Sequence, residues 1–192
     1  MAEVKDKEVI PRVAWEEFPE GLKTALKPKV DRLGYCGEIW QVGANLPKSM
    51  LSFCNMTEDL KDEMPMKLVE LTALTVAGVM GNEYEQNQHE RLSDKLGYGR
   101  EWIADVSRLN PAEAKALSAE EKKVQKFIIA AIYRRGHDSK ALFEDAARAI
   151  GAKAATGVLL SIGRCIQHAI FRNVLELAPP VTSLLAETKA KA

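Results

Sequence analysis

Glu70, Glu85 and His89 are the residues of this 192-residue chain whose types and spacing suit proton chemistry. Glu85 and His89 are four apart, which on a helix places both side chains on one face, a turn from each other. Glu70 belongs to the apolar run before Gly81 and reaches the same place if its helix packs antiparallel to the next. Carboxylates and an imidazole that converge can hold and move a proton near neutral pH. Two adjacent carboxylates cannot both ionise cheaply, so one becomes an acid and the other a base. The spacing does not say which. Asn82 and Tyr84 flank the same helix start, where either can touch a bound substrate. Arg164, the one charge between Gly157 and Cys165, suits an anionic substrate and equally suits solvent or a subunit boundary.

Each of these residues also has a plainer reading. Asn82 is a good N-cap, and Glu85 then stands at the third helical position, where it can bond back to the Asn82 amide as in a capping box. A carboxylate there is stabilised by the helix dipole, so capping and chemistry are compatible. Glu70 can face solvent, and His89, followed by Glu90-Arg91, can lie on a surface. His137 reads as a helix-boundary residue and His168 as core or pocket wall. Trp40, Met50, Phe53 and Trp102 read as core. Two carboxylates and a histidine also match a metal site.

The elements that must position these groups are helices. Apolar residues recur at helical spacing in Glu16–Leu33, closed by Gly34, and in the short run Glu38–Ala44. Pro47 begins a helix running to about Leu60, with Met50, Leu51, Phe53 and Cys54 inward. Pro65 opens the helix that carries Glu70, Gly81-Asn82 interrupts it, and a second runs to Leu96 before Gly97. Gly99–Leu109 is short, with Trp102 and Val106 inward. Ser118-Ala119-Glu120-Glu121 is a capping box that starts a helix ending at Gly136. Another helix ends before Gly151. Ala152–Leu177 is one long, largely apolar helix with weak points at Gly157 and Gly163, stopped by Pro179-Pro180. No strand alternation persists. The reading is one all-α domain over residues 1–192, an antiparallel helical bundle with an extended arm at 1–14 and a tail at 181–192.

Formal net charge is zero, from 27 basic and 27 acidic residues that are well mixed, so no basic stripe points to nucleic acid or a membrane surface. No apolar run is expected to span a bilayer. Three scattered cysteines, Cys36, Cys54 and Cys165, form no CxxC pair and suit a reducing compartment. The charged, mixed-sign N-terminus is not a signal peptide, and the cytoplasm is the expected location.

The central stretch resembles the carboxymuconolactone decarboxylase and alkylhydroperoxidase D superfamily. The thiol-bearing branch carries E-x11-C-x2-C-x3-H. Glu70 and His89 fit its glutamate and histidine with the spacing kept, while Asn82 and Glu85 occupy the two cysteine positions. Gly81-Asn82-Glu83-Tyr84-Glu85 with the downstream His89 is similar to the cysteine-free branch, where G-x-E-Y-E and a histidine recur. Trp15–Leu60 resembles the family's leading helices and Leu117–Pro180 its closing ones. The resemblance implies an alkylhydroperoxidase D-like fold and a cofactor-free lyase, with no metal, acting on a small lactone or oxo-acid. Within the family the type reaction is loss of carbon dioxide from 4-carboxymuconolactone. His89 is then the proton donor, Glu70 its orienting partner, and Glu85 a base or a holder of a substrate hydroxyl. A CxxC peroxidase is excluded at this site. The family also implies a homo-oligomer, trimer or hexamer. The alternative is a non-catalytic ligand-binding or structural homo-oligomer that keeps the fold. Redox work through the scattered cysteines is a weaker third reading.

Overall fold

The computed structural model describes residues 9–189, so the expectations for residues 1–8 and 190–192 lie outside the described residues. The chain divides into two compact units, Met1–Asp59 and Leu60–Ala192.

In the first unit a 3₁₀ turn at Trp15–Glu17 leads into α1 (Glu20–Leu33), α2 (Glu38–Gly43) and the start of α3 (Pro47–Glu63). Pro19 sits just before α1, where its missing N–H costs nothing. Gly34 closes α1 in the left-handed conformation (φ 78°), its N–H bonded to Val30 O. Leu22, Leu26, Ile39, Trp40 and Cys54 are buried, whereas Met50, expected in the core, is only partly so. The described part of the arm is pinned to α2 and the turn after it by Val13 N–H to Gln41 O (3.1 Å) and Asn45 Nδ2 to Pro11 O (2.7 Å).

The second unit is built around α4 (Met66–Met80), which packs against α5 (Glu83–Lys95), α6 (Arg100–Ser107), α7 (Ala119–Tyr133) and α9 (Ala152–Val174). α8 (Lys140–Ile150) lies between α7 and α9, and α10 (Leu184–Lys189) lies on α5. α4 is apolar nearly all round, as a helix surrounded by others must be. Leu71, Leu74, Val76, Ile103, Val106, Val124 and Ile128 form the centre of the core. The expected capping box starts α7, with Glu121 N–H to Ser118 Oγ at 3.2 Å and Ser118 N–H to Glu121 Oε2 at 2.7 Å. No strand occurs among the described residues.

α9 runs unbroken through both of its glycines. Gly157 is where Met64 presses on the helix, so closely that an added Cβ would overlap the Met64 sulfur. It serves close approach, not a break. α9 is also 23 residues long, and an 18-residue stretch of it has a mean hydropathy of 1.2, enough by length and composition to cross a bilayer, contrary to the sequence reading. Its inward side, however, carries His168 and Arg172, both buried against protein.

Candidate functional site

The junction between α4 and α5 sets the site. Gly81 takes the left-handed conformation (φ 62°), and the Asn82 N–H returns to Ala77 O at 2.9 Å, closing α4. Asn82 then caps α5, its Oδ1 accepting from Glu85 N–H at 3.2 Å. The reciprocal half of the expected capping box is absent. The Asn82 amide already bonds α4, so the Glu85 side chain turns inward. With so short a connection the helices pack side by side, and Glu70 comes level with His89.

Glu70 is fully buried, against the solvent-facing alternative. Its Oε2 accepts from His89 Nδ1 at 2.8 Å and from Ser93 Oγ at 3.2 Å, while Oε1 has no hydrogen-bond partner. The other ring nitrogen of His89, Nε2, lies 3.4 Å from Glu85 Oε2. Burial opposes a charge on His89, but Glu70 and then Glu85 outweigh it and raise its pKa to about 10. The ring is therefore an imidazolium at neutral pH, with an N–H aimed at each carboxylate.

α9 completes the cluster from the other side of Glu85. His168 Nδ1 approaches Glu85 Oε2 to 2.9 Å, a close but oblique contact. Arg172 Nε lies 3.2 Å from Glu85 Oε1 and 3.4 Å from His168 Nε2. The Arg172 guanidinium stacks on the Tyr84 ring, 3.3 Å from its centroid, and its Nη1 has no hydrogen-bond partner. Burial alone would raise the Glu85 carboxyl, yet His168, His89 and Arg172 together hold it well below the usual carboxylate range. Burial pushes His168 down to about 4, outweighing the pull of Glu85, so this ring is neutral at pH 7. Taken with Glu70 and Glu85 as carboxylates, His89 and Arg172 balance the buried charge two against two.

The fold is shared with solved structures. The debrominase Bmp8 without ligand superposes with a TM-score of 0.76 at 14% identity, covering 90% of this chain and 92% of that one. A cysteine-to-alanine variant of Bmp8 in complex with 2,3,4-tribromopyrrole gives 0.77 at 15% identity, covering 92% and 94%. No family model and no curated protein matches the chain. At this identity the likeness is one of fold: the all-α, alkylhydroperoxidase D-like architecture expected from the sequence.

Glu70, Glu85 and His89 thus come together, with Asn82 and Tyr84 beside them. Arg164 stands one turn before His168 on α9, half-buried, with Nη1 3.7 Å from Cys165 Sγ, and its charge helps to keep His168 neutral. Arg172 was not anticipated and His168 only as a core or pocket-wall residue. Their signal was present: Arg164, His168 and Arg172 recur every four residues along an otherwise apolar helix, a polar stripe that hydrophobicity alone does not explain. Glu90 and Arg91, which follow His89 on α5, serve the segment before α10. Glu90 Oε2 accepts from Leu184 N–H and Ser183 Oγ, both at 2.8 Å, and Arg91 Nη2 donates to Thr182 O at 2.9 Å.

Proposed function

We propose that this chain is a cofactor-free lyase of the carboxymuconolactone decarboxylase type, moving a proton around an enolate of a small lactone or oxo-acid. The observation that carries the reading is His89 held between two carboxylates, one wholly buried and one within reach of solvent. Side-chain exposure is nil for Glu70, 13% for Glu85 and 16% for His89. The open side is therefore the Nε2 side, and its contact with Glu85 is also the longer one. A substrate oxygen or carbon entering there displaces Glu85 from Nε2 while Glu70 keeps the ring oriented through Nδ1.

The step balances without an added group. A substrate carboxylate leaves as carbon dioxide, and its bonding pair becomes a dienolate spread onto the lactone carbonyl. His89 Nε2–H protonates the carbon, and the neutral ring regains a proton from water. Losing the Glu85 contact makes His89 a stronger acid than at rest, which suits donation to an enolate. Asn82, Tyr84 and Arg164 are the substrate-binding residues of this reading, and a trimer or hexamer is the assembly it favours.

Bmp8 is a debrominase, but nothing in this site favours dehalogenation over proton transfer. The two positions that fit the cysteines of the thiol pattern hold Asn82 and Glu85. Burial, and then Glu16, raise the Cys36 thiol to about 11, which makes it a poor thiolate. The test follows carbon dioxide release and ultraviolet absorbance with 4-carboxymuconolactone, beside His89→Ala. Turnover that disappears in the variant supports the reading. Absence of turnover on this and a panel of lactones and oxo-acids refutes it.

A further inference from the structure

Glu85 is the member of the cluster that both histidines share, and what lies beyond it decides its role. Beyond Glu85 the contacts run to His168 and from His168 to Arg172. His168 is 3% exposed, its Nδ1 faces Glu85, and its Nε2 accepts from Arg172. Arg172, 4% exposed, cannot give up its proton. The chain ends in a fixed cation stacked on Tyr84. A fixed cation at that end holds its neighbours in place.

We propose that His168 and Arg172 are positioning residues, which grip the Glu85 carboxylate by both oxygens and keep it anionic and aimed at His89. This rests on the proton-transfer reading above and deepens it. Oε1 is taken by Arg172, so Glu85 is left with Oε2, which lies between the two rings. A carboxylate so held does not serve as the acid; it acts as the counter-charge that a substrate displaces from Nε2. The device thereby favours substrates that bring their own negative oxygen, a carboxylate or an enolate, to replace it. The low titration of Glu85 and the neutrality of His168 agree with this geometry.

The charged and titratable groups facing Glu85 are His89 on its own helix and His168 and Arg172 on α9. Glu70 of α4 reaches it through His89. α6 meets α5 through Ser107 Oγ on Gln86, and the segment before α10 does so through Glu90 and Arg91. The grip on Glu85 is therefore separable by substitution on α9.

The experiment is a carbon-detected NMR titration of the Glu85 carboxyl in the substrate-free protein, for wild type, Arg172→Gln, His168→Leu and His168→Asn. Asparagine carries an N–H where histidine has Nδ1, so it restores the donor without the ring. Arg172→Gln and His168→Leu should raise the Glu85 midpoint by about one to three pH units, and His168→Asn should bring it back toward wild type. An unmoved midpoint in folded Arg172→Gln or His168→Leu overturns the proposal, as does a shift that His168→Asn fails to reverse. If Arg172→Gln does not fold, the two His168 variants decide alone. Because no substrate is used, the result is independent of the turnover assay, and either reading can fail without the other.

Discussion

Replacing Glu70 by glutamine should change the pH dependence of stability, and the size can be worked from His89. The histidine titrates near 6.5 when unfolded and at about 10 in the native cluster. A raised native pKa contributes stability that is complete below the unfolded value and is lost as pH climbs through the native one. The linkage gives roughly 5 kcal/mol at pH 6, roughly 3 at pH 8 and less than about 1 at pH 10. Glutamine keeps an oxygen for His89 Nδ1 and Ser93 Oγ but removes the largest attraction. Burial then opposes the charge with only Glu85 against it, and the shift should collapse. Exchanging carboxylate for amide also adds an offset, which the comparison between pH values cancels. The prediction is therefore a difference: the gap between wild type and Glu70→Gln should shrink by about 4 kcal/mol from pH 6 to pH 10. Urea unfolding followed by tryptophan fluorescence at a series of pH values measures it. Parallel stability curves for the two proteins would refute the reasoning and reduce Glu70 to a hydrogen-bond acceptor.

On the acid side the sign reverses. His168 is held neutral down to about 4, so its stabilising contribution is present above 6.5 and disappears between 6.5 and 4; His168→Asn should flatten that part of the urea-derived curve. His89→Ala should lower turnover by roughly two orders of magnitude or more in steady-state assays. Asn82→Ala should cost about 0.5–2 kcal/mol through the lost cap, with the His89 NMR titration scarcely moved. Gly157→Ala should cost about 1–3 kcal/mol in thermal or urea unfolding, because Met64 already fills that side of α9.

The helices were legible because their stops are chemical: Gly34, Gly81 and Gly151 take positive φ, and Ser118 and Asn82 cap as their side chains allow. Glu70, Glu85 and His89 were legible because two of them lie a turn apart and a short junction brings the third alongside. The α9 half of the site was hidden because its partners are about 80 residues away in sequence and periodicity carries no information on which helix a polar stripe meets. The Glu85 capping bond failed for a similar reason. Its intended partner, the Asn82 N–H, was claimed by the end of α4, a competition that local spacing does not reveal. The role of Glu90 was hidden for the same reason, since the segment it caps comes more than 90 residues later.

The polar stripe of α9 bears on how the second unit finds one arrangement. Apolar helix faces repeat every turn, so α9 sliding by 5.4 Å along α4 would still present alanine, valine and isoleucine to a similar groove. The slide would not be silent to charge. It would carry Arg164 to the place of His168, and His168 to that of Arg172, setting a cation against Glu85 Oε2 and a neutral ring where Oε1 needs a cation. Exchanging the two residues, His168→Arg with Arg172→His, should broaden the unfolding transition even though composition is unchanged. The order of side chains along one stripe thus works as a vernier, marking the single notch at which two slippery surfaces agree.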